Sequence, residues 1–397
     1  MARLHAVGER RRLVLTCALA AGVLAAVLVF LVDFQNFMDL RVYVHGGRAW
    51  LDDLPLYDDE FGRRVGTGLP FTYPPAAALF FTTLAVLPWA LAVAVVTAVS
   101  VLALGWVAWL VVRRPAVAVV GLAAAGLLFE PVRLSLSFGQ VNLLLMALVV
   151  ADCLLPRTWW PRGSLIGIAA AVKLTPFAFL LFFAAGRRWR PVWTAVAAFA
   201  VVTLLTWALS PATLGEYLST VLGDPTRIGG LTYVGNQSLN GFWHRLGVDS
   251  TAVWVVSVLT VVALGWLAVH RTRAAGDDLG ALVATAVAGL LASPVSWSHH
   301  WVWAVVALAW VAPRFRTWRW PGRVAASVGL LLFVLPPHWI LPNRYDRELD
   351  WSWWQHIVGN DYVWCGLALL LVLAFRRPAS GDDGVDSERR RADVGRG

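Results

Sequence analysis

Apolar runs of roughly 18 to 25 residues recur along this chain with Arg clusters between them, and that recurrence leaves few folds open. As a helix, a run of that length matches the hydrocarbon thickness of a bilayer, so lipid and not a single protein core is what covers the side chains. Composition agrees: 59% of the 397 residues are hydrophobic and 14% are charged. A formal charge of +9 would suit a nucleic-acid binder if the Arg residues formed one face, but they sit in short clusters between apolar runs, the positive-inside pattern. No nucleic-acid partner is implied. Cys17, Cys153 and Cys365 all fall within or at the ends of apolar runs, so neither a disulfide framework nor a CxxC metal site is available.

Clustered positive charge resists translocation, so Arg10 to Arg12, Arg113/Arg114, Arg157/Arg162, Arg187/Arg188/Arg190, Arg271/Arg273, Arg314 to Arg323 and Arg376/Arg377 are expected in the cytoplasm. Threading the apolar runs between them predicts spans near 13–32, 89–112, 115–130, 142–155, 191–209, 251–270, 279–293, 301–312, 323–338 and 361–375. The first reads as a retained signal anchor, being too long for a cleaved leader and lacking a small-residue cleavage site. Residues 76–87 are too short to span and are expected along or just inside the outer surface. Residues 163–185 carry Arg at both ends and Lys173, Thr175 and Pro176 at the centre. They either re-enter and leave on one side or form two half-helices. The expected architecture is an all-α polytopic membrane domain over 13–377 with about 10–12 membrane helices, some short or re-entrant. Outer loops fall near 33–75, 131–141, 210–250, 294–300 and 339–360. A basic cytoplasmic stretch, 1–12, precedes the domain, and a disordered cytoplasmic tail, 378–397, follows it.

There is no P-loop, no GxGxxG after a strand and no soluble domain to hold a nucleotide, so a phosphate-activated substrate would arrive attached to lipid. In the first outer loop, Asp39 is flanked by Phe34, Phe37, Met38, Leu40, Val42 and Tyr43. A carboxylate in such surroundings can have its pKa tuned for acid–base work; alternatively Asp39 caps a helix over Leu40 to Trp50. Asp58, Asp59 and Glu60 read as a solvated turn, with ligation of a divalent cation as the other use of such a triplet. Lys173, the only lysine, sits at membrane depth, where an ionisable group is either functional, with phosphate its natural partner, or snorkelling to the surface. His299 and His300 in SPVSWSHHW can hydrogen-bond a phosphate or sugar hydroxyl, or serve as interfacial anchors. Gln140 and Asn142 in GQVNL, and Asn236 and Gln237 in GNQSLNGF, supply the amides that sugar recognition uses.

Asp39 with Tyr43, the LPLYD and LPFTYPP steps, GQVNL, the Lys173 segment ending in GRRWR, GNQSLNGF and SWSHH, in that order, resemble glycosyltransferase family 87, over about Asp33 to Trp310. The resemblance implies a GT-C-type fold and an actinobacterial polyprenyl-phosphate-mannose-dependent α-mannosyltransferase of the plasma membrane, its active site facing the extracytoplasmic side. Donor and acceptor would be a polyprenyl-phosphate-linked sugar and a glycolipid or lipoglycan. It implies Asp39 as the general base of an inverting transfer, a His of the SWSHH turn at donor phosphate or acceptor, and Lys173 near the lipid phosphate. Tyr43, Gln140, Asn142, Asn236 and Gln237 complete the expected substrate contacts. No cofactor is implied, and a divalent metal stays open. A flippase of lipid-linked sugar, a transferase of another sugar such as arabinose and a non-catalytic scaffold are the competing classes.

Overall fold

A computed structural model describes residues 36–113 and 116–375; the stretch 1–12, the expected first span 13–32 and the tail 378–397 lie outside the described residues. The elements that matter here are α1 (Met38–Leu51), α2 (Pro75–Ala85), α3 (Trp89–Val112), α4 (Ala116–Leu128), α5 (Glu130–Phe138), α6 (Asn142–Leu154), α7 (Ser164–Val172), α8 (Leu180–Ala184), α9 (Trp189–Leu209), α10 (Leu239–Arg245), α11 (Thr251–Ala274), α12 (Asp278–Ala292), α13 (Ala304–Val311), α14 (Trp320–Val334) and α15 (Asp361–Phe375). Among the described residues the only β pairing is one isolated bridge, Asn236 with Trp297.

Among the described residues three helices, α3 with 24 residues, α9 with 21 and α11 with 24, are long and apolar enough to cross a bilayer unaided. At 1.5 Å per residue the longer two reach roughly 36 Å, against a hydrocarbon core of about 30 Å. Their faces leave Leu102, Val201, Leu204, Val256 and Leu259 exposed, which water would penalise and acyl chains do not. The shorter helices α6 and α12 are sheathed by protein: Leu143, Val150, Ala281, Leu282 and Leu291 are buried in one core with Trp310. Neighbouring helices, not lipid, set their length. The result is the expected polytopic helical fold, with short helices at the positions read as short spans.

Two segments depart from simple crossings. The apolar pattern predicts a span over 115–130 and a loop over 131–141, yet the chain stays helical through α5 and turns by 75° between α4 and α5. Pro131 stands in the first turn of α5, where its missing N–H is no loss, and so it starts a new helix across the end of the bundle instead of ending one. Residues 163–185 form two half-helices that also return to their starting end. The buried Asp152 carboxylate accepts the N–H groups of Gly163 (2.9 Å) and Ile166 (3.1 Å) at the start of α7. The helix breaks at Lys173, whose backbone is extended, and a 3-10 turn over Thr175–Phe179 leads through α8 back to Gly186, against the Arg273 side chain.

The bundle thus has two unlike ends. At one, Arg113 donates to the Leu154 carbonyl, Arg162 to the Asp152 carbonyl (2.7 Å), Arg273 pairs with Asp278 (3.4 Å) and Arg314 with Asp277 (3.0 Å). At the other meet α1, α2, α5, the hairpin tip at Lys173 and the turn between α12 and α13.

Candidate active site

That second end encloses a cavity of about 530 Å³, and Asp39, Gln140, Lys173, His299 and His300 all lie on its wall. The chain reaches Asp39 through a defined entry. Asn36 Oδ1 accepts the Met38 N–H (3.1 Å) and Phe37, at φ 45°, stands at the N-cap of α1, so Asp39 falls in the first turn and is not the cap. Its side chain is left to face the cavity. Burial lifts its carboxyl from the usual value to about 6, while a hydrogen bond from Gln140 and the Lys173 ammonium favour the ionised form. A carboxyl poised there is ionised at neutral pH yet still basic enough to take a proton.

Gln140 is aimed by its surroundings. Gly139 adopts φ 68° after α5, and a Cβ there would stand 2.6 Å from Leu40 Cβ, so only glycine lets the chain turn against α1 at this point. The Tyr43 hydroxyl donates to Gln140 Oε1 (2.6 Å) and lies 2.8 Å from the Tyr73 hydroxyl. With its oxygen so engaged, Gln140 has its Nε2 left to donate, to Asp39 and, at 3.5 Å, to the Tyr73 hydroxyl. Tyr43 itself is fully buried and stands behind the wall, stacked on Phe81.

A cationic corner forms at the hairpin tip. Lys173 Nζ donates to Asn142 Oδ1 (3.1 Å), lies 3.1 Å from His300 Nε2 and sits 5.6 Å over the Tyr73 ring. Asn142 donates in turn to the His299 carbonyl (2.9 Å), which also accepts from Ser135 (3.0 Å), so the imidazole turn is tied to α5 and α6. His299 Nε2 is buried on the cavity wall without a hydrogen-bond partner among the described residues. Burial and the neighbouring ammonium hold both imidazoles neutral. An ammonium with a free N–H and two neutral imidazoles can receive an oxyanion. A narrow, mostly apolar slot lined by Leu145, Met146, Phe179 and Trp303 opens on the same corner, sharing Lys173, Thr175, Ser293 and His300 with the cavity.

Asn142, then, lines the slot and steadies Lys173. Asn236 and Gln237 are off the wall and fully buried. Asn236 Oδ1 accepts the Ser296 N–H (3.0 Å), and Gln237 donates to the carbonyls of Val234 (2.8 Å) and Gly359 (2.9 Å), which places both in the framework of the outer loops. Asp58 and Glu60 are paired with Arg64 and Arg63, and among the described residues no three His, Cys, Asp or Glu side chains converge as metal ligands would. Several participants escaped the sequence reading. Tyr73, in the LPFTYPP step, bears on both Tyr43 and Lys173. Buried Arg245 donates to the carbonyls of Thr232, Tyr233 and Asn236 and gathers the loop around them; nothing in its local sequence distinguishes it from a surface arginine.

The profile of glycosyltransferase family 87 matches residues 71–296, a stretch that holds Gln140, Asn142, Lys173, Asn236 and Gln237 but not Asp39, Tyr43, His299 or His300. A polyprenol-phosphate-mannose-dependent alpha-(1-2)-phosphatidylinositol mannoside mannosyltransferase of Mycobacterium tuberculosis is 37% identical over 399 residues, covering 92% of this chain and 92% of that protein. The protein of the same description from Mycolicibacterium smegmatis is 38% identical over 371 residues, 85% of this chain and 83% of its own. A phosphatidylinositol pentamannoside mannosyltransferase of M. smegmatis, also polyprenol-phosphate-mannose-dependent, is 33% identical over 372 residues, 87% of each chain. No solved structure matches the chain. With a profile match through its centre and relatives this similar along most of its length, the chain belongs to glycosyltransferase family 87.

Proposed function

We propose that the protein transfers a mannosyl group from polyprenyl phosphate to a phosphatidylinositol mannoside at the extracytoplasmic face of the plasma membrane. Donor and acceptor classes follow the printed functions of the relatives. The structural observation that carries the reading is one cavity with a carboxylate of raised pKa on its wall and an ammonium–imidazole corner joined to an apolar slot. In the reaction the acceptor hydroxyl gives its proton to Asp39 as its oxygen bonds to the anomeric carbon. The bond from that carbon to the phosphate oxygen breaks, and the electron pair leaves with the lipid phosphate, whose charge Lys173 and the imidazoles receive. One base suffices, because phosphate needs no proton to depart, unlike the oxygen that leaves in glycoside hydrolysis. The slot takes the first isoprenoid units of the carrier. Clustered Arg resists translocation, which supports a cytoplasmic Arg-rich end and a cavity on the opposite side.

Purified protein in nanodiscs, given radiolabelled polyprenyl phosphate mannose and phosphatidylinositol mannosides, is expected to form labelled, higher mannosides. A carrier that only moved the lipid-linked sugar across the bilayer would make no new glycosidic bond, and that result would overturn the proposal.

A further inference from the structure

Three aromatic rings, those of Tyr233, Trp297 and Trp339, also line the cavity, and neither the proton transfer nor the phosphate corner uses them. Tyr233 stands at 6.0 Å between centroids from both tryptophans, tilted by 65° to Trp297 and 57° to Trp339. All three keep part of their surface open, Tyr233 to 39%. Tryptophans of an interfacial belt point outward to headgroups. These line a half-open cavity, where uncovered ring faces are unfavourable until a ligand covers them.

The rings are held in place from behind. Trp339 Nε1 donates to Glu130 Oε1 (2.8 Å), and this buried carboxylate also accepts from Ser298 (2.8 Å) and from the Tyr362 hydroxyl (2.9 Å). Ser298 immediately precedes the His299–His300 pair, so one carboxylate fixes a platform ring and the imidazole turn together. The other two rings rest on bare backbone. A Cβ at Gly229, which has φ 139°, would lie 2.9 Å from Trp297, and one at Gly235 would lie 2.9 Å from Tyr233 and 3.2 Å from Trp339. A buried charge with three donors and two glycines that leave the rings their seats amount to a preorganised surface.

The apolar slot joins the cavity at Lys173 and His300 and touches none of the three rings. The lipid-linked donor therefore takes the cationic corner, and the ring-lined wall is left to the other substrate. We propose that Tyr233, Trp297 and Trp339 form the acceptor subsite, stacking on the apolar C–H face of the acceptor's terminal pyranose ring and presenting its hydroxyl to Asp39. This rests on the mannosyltransferase reading above and assigns the half of the cavity that reading leaves open.

The test uses full-length protein in nanodiscs with an alkyl α-mannoside as acceptor. Tyr233→Ala and Trp297→Leu are expected to raise the acceptor KM about tenfold, the loss proper to one stacked ring, while the donor KM stays put. An unchanged acceptor KM, or a rise in the donor KM instead, overturns the subsite. If Trp297→Leu does not fold, Tyr233→Ala carries the test alone, since the half-open side chain leaves little cavity behind. Saturation-transfer NMR of the mannoside on the intact protein supplies a readout without turnover: sugar C–H signals are expected with wild type and lost with Tyr233→Ala. Mannoside binding that depends on Tyr233, in a protein that transfers no mannose, would uphold the subsite and reject the transferase reading. Normal transfer with an unaltered KM in both variants would reject the subsite and uphold the transferase.

Discussion

Asp39 sits beside Gln140 and Lys173, both of which favour its charged form, and still its carboxyl is raised to about 6, because burial outweighs them. On the proposed mechanism Asp39→Asn keeps the shape and loses the proton acceptor, so transfer in nanodiscs should drop by about 10²- to 10⁴-fold with extraction yield unchanged. The base works deprotonated. Activity should therefore be full only about a pH unit or more above 6, half-maximal near pH 6, and lost as pH drops further below the carboxyl's pKa. Gln140→Leu removes a hydrogen bond that stabilises the ionised form, which raises the pKa further and moves the acid limb of the kcat/KM profile to higher pH; a limb that stays put or moves down would count against Asp39 as the titrating group. The residues meeting in this cavity are legible in the sequence as chemistry-bearing types, Lys173 at membrane depth and Asp39 and His300 in outer segments. Which of two uses each had was not legible, because capping versus cavity-facing depends on whether Phe37 or Asp39 occupies the N-cap, a matter of one residue's φ. Asn236 and Gln237 look like sugar-binding amides in sequence and are spent on loop carbonyls, since an amide's partners are set by tertiary contacts.

At the scale of elements, the broken segment at 163–185 could be anticipated: Arg at both ends and Lys173 before Thr175 and Pro176 argue against a continuous span, and the structure has two half-helices returning to one end. The 75° turn between α4 and α5 could not, because Glu130–Pro131 reads equally as a helix end or a helix start, and what selects the second is the packing of α5 across the α12–α13 turn through Ser135 and the His299 carbonyl. The exit from α5 depends on Gly139. Gly139→Ala combines a positive φ with a contact to Leu40 and should cost about 1–3 kcal/mol, read as a lower unfolding temperature in detergent. Transfer should suffer beyond that, because the displaced residue next in line is Gln140.

Across the whole molecule Arg113, Arg162, Arg273 and Arg314 gather at one end and the cavity lies at the other, a separation whose Arg half is visible in the sequence because positive charge in short loops is a local property. The helix lengths are less legible: α6 and α12 fall short of a bilayer because their flanks meet protein, and burial of that kind depends on partners far along the chain. Orientation can be read directly. In a background without Cys17 and Cys365, Asp59→Cys should react with a membrane-impermeant maleimide in intact cells, and Arg157→Cys, exposed at the other end, only after permeabilisation; the reverse pattern would put the cavity in the wrong compartment for the proposed donor. The hairpin beneath that cavity has one more implication. A cation on an unbroken crossing is pinned from both faces of the bilayer, whereas Lys173 rides on a tether anchored at a single end, and its ammonium is held there by Asn142, His300 and the Tyr73 ring. Substitutions at those three neighbours should therefore retune where the charge sits, and at Asn142 they also loosen the imidazole turn that the same side chain ties to α6.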